Sequence, residues 1–81
     1  MKIQLNSIIR LSNDEKFIVL NELVENNRYF YLTMGIINDT EVDSSKVVIL
    51  EQISDDEGYY IEKIIDSELL MHLTKLFKEQ L

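Results

Sequence analysis

The sequence predicts an α+β domain: a strongly twisted antiparallel β-meander of four or five strands followed by one C-terminal amphipathic helix. Three observations predict it. Runs rich in Ile, Val, Phe and Tyr alternate with short clusters of Asn, Asp, Ser and Glu over most of the chain, the pattern of strands joined by turns. The hydrophobic period then changes to a helical one near Asp66. Finally, 81 residues without a cysteine have room for one core and no covalent staple, so residues 1–81 form a single small domain held by packing.

The opening apolar stretch, about residues 3 to 11, supplies the fifth strand if the sheet has five. "SNDE" at 12 to 15 separates it from "KFIVLNELVE", and "ENNR" at 25 to 28 leads into "RYFYLTMGII". Both links are short enough to join antiparallel neighbours, and Asn27 tolerates the left-handed conformation that a tight hairpin needs. A longer polar link, "NDTEVDSS" at 38 to 45, leads into "KVVILEQI", and "SDDEG" leads into "YYIEKI". Gly58 supplies the positive φ required by a hairpin loop of about three to five residues, while Asp55 and Asp56 accept bonds from nearby amides.

In "DSELLMHLTKLFKEQL", Leu69, Leu70, Leu73, Leu76, Phe77 and Leu81 share one helical face, and Glu68, His72, Lys75, Lys78 and Glu79 lie largely on the other. Asp66 is the N-cap. Ile65 and Leu70 are spaced for a hydrophobic staple across it, and Glu68 and Lys78 suit the two ends of the helix dipole.

One helix cannot cover both faces of this sheet. The second strand is apolar at both parities, with Phe17, Val19 and Leu23 against Ile18, Leu20 and Val24. The third repeats this, with Tyr29 and Tyr31 against Phe30, Leu32 and Met34. A half-solvated antiparallel sheet would alternate apolar and polar residues. Either the sheet curls so that the first strand folds over its second face, or that face meets another chain.

Charge narrows the functional classes. Between Asp39 and Glu62 there are eight acids and one base, Lys46, which accounts for the whole formal net charge of -7. Binding to nucleic acid phosphates or an anionic membrane is therefore disfavoured. The N-terminus has no apolar run long enough for a signal peptide, since Gln4, Asn6, Ser7 and Arg10 interrupt it, and a cytoplasmic location is expected.

No cofactor or metal site is expected. In "SDDEGYY" at 54 to 60, placing Gly58 at the sixth position of a calcium loop puts Ile53 at the first and Ile64 at the twelfth, where oxygen ligands are needed. In "DTEVDSS" the spacing of Asp39, Glu41 and Asp43 is better, but Ser44 replaces the glycine and Leu50 the distal Glu. His72, the sole histidine, has no recognisable nucleophile near it in sequence. The Tyr29-Phe30-Tyr31 and Tyr59-Tyr60 runs lack the interleaved bases that stacking on single-stranded nucleic acid requires. No catalytic residues are assigned, and the chain is not expected to be an enzyme.

The order of elements, and Phe17, Leu20, Tyr31, Leu32, Val47, Ile49, Asp56-Glu57-Gly58, Ile65, Asp66, Glu68, Leu69 and Phe77 in particular, resembles the YrzB-like family of small, acidic proteins from low-GC Gram-positive bacteria. The likeness spans about residues 7 to 80 and rests on structural punctuation. It implies a bacterial, cytoplasmic protein of similar fold, and it carries no activity or catalytic residue with it.

The function expected is a non-enzymatic protein-binding or adaptor module acting on a protein partner or a second copy of itself. The alternative is an acidic mimic of nucleic acid that inhibits a DNA- or RNA-binding enzyme. The residues expected to carry partner binding are Asp39, Glu41, Asp43, Asp55, Asp56, Glu57, Tyr29 and Tyr31.

Overall fold

A computed structural model describes residues 3–38 and 41–80. It contains β1 (Ile8–Arg10), β2 (Lys16–Glu25), β3 (Arg28–Ile37), β4 (Glu41–Asp55), β5 (Gly58–Lys63) and α1 (Ser67–Glu79). The strands pair in chain order, each antiparallel to the last, and form one curled five-stranded sheet followed by the helix. The meander has its fifth strand, although β1 is only three residues long.

The turns follow from local chemistry. Asn26 (φ 52°) and Asn27 (φ 64°) are both left-handed between the paired residues Glu25 and Arg28, the backbone that a two-residue hairpin of matching twist requires. Asp56 and Glu57 form an equally short turn between paired Asp55 and Gly58, tighter than the loop expected from sequence. There Asp55 Oδ1 accepts from the Glu57 amide at 2.8 Å, and Gly58 has φ 137°.

Two irregularities bend the sheet. Leu20 is the extra residue of a β-bulge in β2: Val19 faces Thr33, yet Asn21 faces Leu32. Parity changes there, so Leu23 joins the helix-covered face instead of sharing a side with Phe17 and Val19. In β4, Val47 pairs with Met34 and Asp43 with Gly35, which leaves Ser44, Ser45 and Lys46 as an insertion. Asp43 Oδ1 fixes its shape by accepting from the Ser45 amide at 3.0 Å and from the Ser45 hydroxyl at 2.6 Å. The segment read as a polar link is therefore largely strand.

The curl makes two apolar layers. Outside, Phe30 and Ile49 pack with Leu73 and Phe77 of α1, and Leu23, Leu32, Ile64, Leu69 and Leu70 surround them. Inside, Phe17, Val19, Tyr31 and Leu50 are fully buried without help from the helix. This is the curled alternative, in which the chain covers its own second face.

Asp66 caps α1 by accepting from the Glu68 and Leu69 amides at 3.0 and 3.4 Å. The staple expected beside it is not made, because Ile65 is 87% exposed and Leu70 turns to the core. Leu81, expected on the same face, lies outside the described residues. No helix among the described residues is long and apolar enough to cross a membrane.

Candidate functional site

The fold separates residues that the sequence groups together. Asp55, Asp56 and Glu57 are exposed at the β4–β5 turn, whereas Glu41 and Asp43 lie at the other end of the fifteen-residue β4. Asp43 is held below the usual aspartate range by its two bonds from Ser45. Asp39 falls outside the described residues. Tyr29 is half exposed at the same end of the sheet as the acidic turn, since it pairs with Gln52, three residues before Asp55.

Tyr31 requires a correction. Expected at a partner surface, it is fully buried inside the curl, where its hydroxyl donates to Gln52 Oε1 at 3.0 Å and accepts from the Ile3 amide at 3.2 Å. A tyrosine in that place anchors the N-terminal segment to the inner layer. The cause is parity: Tyr31 lies on the inward side of β3 with Thr33, and its register partner Leu50 is also buried.

Other acids are committed to structural pairs. Glu51, part of the acidic segment by sequence, is buried opposite Phe30 and Glu62. Arg28 neutralises it with two bonds, Nε to Oε2 at 2.8 Å and Nη2 to Oε1 at 2.9 Å. The same guanidinium lies 5.0 Å from the centre of the Phe30 ring, and the pairing with Glu51 raises its pKa. An acid within the apolar run "VVILEQI" was the sequence signal for such a pair, but nothing local pointed to Arg28.

Glu15 ties the curl together. From the turn before β2 its carboxylate accepts from Lys46 at 2.7 Å, Lys63 at 2.5 Å and Asn13 at 2.6 Å, so one side chain joins β4 to β5. Both ammoniums also sit over the buried Phe17 ring, at 5.4 and 5.7 Å from its centre. His72 Nε2 lies 2.9 Å from Glu25 Oε1, linking α1 to the end of β2. Among the described residues no group of three or more His, Asp and Glu side chains is placed to hold a metal ion.

Among the described residues, two apolar surfaces bear on partner binding. The first is a row across the outer face, where Ile8, Ile18, Met34 and Val47 stand opposite one another on β1 to β4. They lie outside the helix-packed cluster, and Ile8 and Val47 are exposed. The second is the seam between the two edge strands. No ladder joins β1 to β5 among the described residues. A groove of about 830 Å³ separates them, lined on one side by residues 7–12 and on the other by Tyr59, Tyr60 and Ile61, and lined also by Ile3 and Gln4. Tyr59 and Tyr60 are each about half exposed there.

The chain matches no protein-family profile, no curated protein and no solved structure.

Proposed function

We propose that the protein is a non-enzymatic protein-binding module whose contact site is the open seam between β1 and β5. The observation that carries this reading is the seam itself: two strand edges that no ladder joins among the described residues, bordered by half-exposed tyrosines and an exposed isoleucine. Unpaired edges present backbone donors and acceptors that a partner can satisfy. The carboxylates and the histidine support binding over catalysis, because Glu15, Glu51, Asp43 and His72 are each held in bonds with neighbours of their own chain.

Phosphate mimicry is less well supported. It calls for a continuous acidic face, whereas Glu41 and Asp43 sit at one end of β4, Asp55 to Glu57 at the other, and Glu51 is buried between them. A test is capture from a bacterial lysate by the tagged protein and by Tyr60→Asp, with washes at low and high salt. A partner retained by the wild type at high salt and lost from the variant supports the reading. Capture of a nucleic-acid enzyme released by salt supports mimicry, and equal capture by both proteins, or none by either, contradicts the seam.

A further inference from the structure

The seam has a direction, and the direction says what fits it. In a meander each strand reverses the one before, so β1, β3 and β5 all run the same way. Five strands cannot close such a sheet with antiparallel pairing, since the two edges that would meet are parallel. One more strand, antiparallel to both edges, restores the alternation. β5 offers six residues of edge, about 20 Å at ~3.3 Å per residue.

We infer that the seam accepts an extended segment of a partner protein as a sixth strand, antiparallel to both β1 and β5, and that this segment is basic. The inference rests on the reading of the seam as the contact site and names its ligand class. Main-chain bonds to the edges would supply affinity, and alternate side chains of the guest would meet Tyr59 and Tyr60, which point to opposite faces. Charge sets the composition. Asp55, Asp56 and Glu57 stand at one end of the β5 edge and Glu62 near the other, all exposed, while the cations beside them are already bonded, Arg10 on the opposite edge to Asp14 at 2.7 Å and Lys63 at the end of β5 to Glu15 at 2.5 Å. An incoming strand with Lys or Arg meets opposite charge at both ends of β5, and an acidic strand is repelled.

Selection from a random twelve-residue peptide library on the immobilised full chain, followed by amide shift mapping with the enriched peptides, tests this directly. The expected peptides are rich in Lys or Arg and β-branched residues, and shift the amides of residues 8–11 and 59–61. Methylation of alternate peptide nitrogens is expected to weaken binding roughly tenfold or more, as loss of several main-chain bonds requires. A spin label on the peptide N-terminus is expected to broaden Lys63 and spare Tyr59, as an antiparallel guest demands. Broadening of Tyr59 instead, indifference to methylation, or enrichment of acidic peptides would overturn the inference. Peptides that shift Ile18, Met34 and Val47 would move the site to the outer row and also overturn it, while leaving a protein-binding function intact. Failure to enrich any peptide rejects the sixth strand, and lysate capture separately decides whether the chain binds proteins at all.

Discussion

The carboxylate of Glu15 lies 2.7 Å from the ammonium of Lys46, thirty-one residues away in sequence, and the same carboxylate holds Lys63 of β5. This clasp spans the mouth of the curled sheet above Phe17. Bonds from Lys46 first, then from Lys63 and Asn13, lower the Glu15 pKa from 4.5 to about 2. The folded state therefore binds the proton less readily than the unfolded chain. Its contribution to stability is complete above pH 4.5 and is lost as pH falls toward 2. Urea melts of wild type and Glu15→Gln should differ most above pH 4.5 and converge as pH falls toward 2. A stability difference constant from pH 7 to pH 2, about the whole accessible acid range, would show that the clasp does not form.

Gly35 is needed by Lys46. A Cβ at residue 35 would lie 2.5 Å from Lys46 Cδ and 3.2 Å from its Cβ, so the lysine stem crosses the glycine on its way to Glu15. Gly35→Ala should cost about 1–2 kcal/mol in denaturant melts, as overpacking does, and the cost should shrink in a Lys46→Ala background. Equal costs in both backgrounds would separate the two residues.

The Arg28–Glu51 pair should show strong coupling for a partly exposed ion pair. Glu51 is buried and the pair is bidentate, although the guanidinium is half exposed and its contribution is reduced by solvent. A cycle of Arg28→Ala and Glu51→Gln should give about 1–2 kcal/mol of coupling, and Arg28→Ala should destabilise more than Glu51→Gln because it leaves a buried charge unpaired.

Attachment of α1 depends on Phe77 and Leu73. Phe77→Ala should remove about 3–5 kcal/mol in denaturant melts, a large share of the roughly 4–12 kcal/mol expected for a chain of this length. Met71, exposed on the same helix, should tolerate Ala within about 0.5 kcal/mol by thermal melting.

Features set by neighbouring residues were legible in the sequence. Asn27 and Gly58 mark turns because few other residues adopt those backbones, and Asp66 marks the helix start because its side chain bonds amides two and three residues on. The apolar character of both strand faces pointed to a curl. Features set by distant residues were hidden. Glu15 meets Lys63 forty-eight residues away, and Arg28 meets Glu51 twenty-three away. Leu20 carries no mark of the bulge that resets the parity of β2. The first half of β4 shows no alternation because its segment is mostly exposed on both sides, so it reads as a loop. Tyr31 was assigned by residue type, and only its inward register shows that it serves the core.

Amide hydrogen exchange along β5, measured in dilute monomeric protein, tests the open seam most directly. An open seam predicts alternation from Gly58 to Lys63, with the amides bonded to β4 protected and those facing the seam exchanging at rates near the unfolded chain. Uniform protection along β5 would mean that its outer edge is already paired, and would contradict both the seam and the partner strand it is proposed to receive.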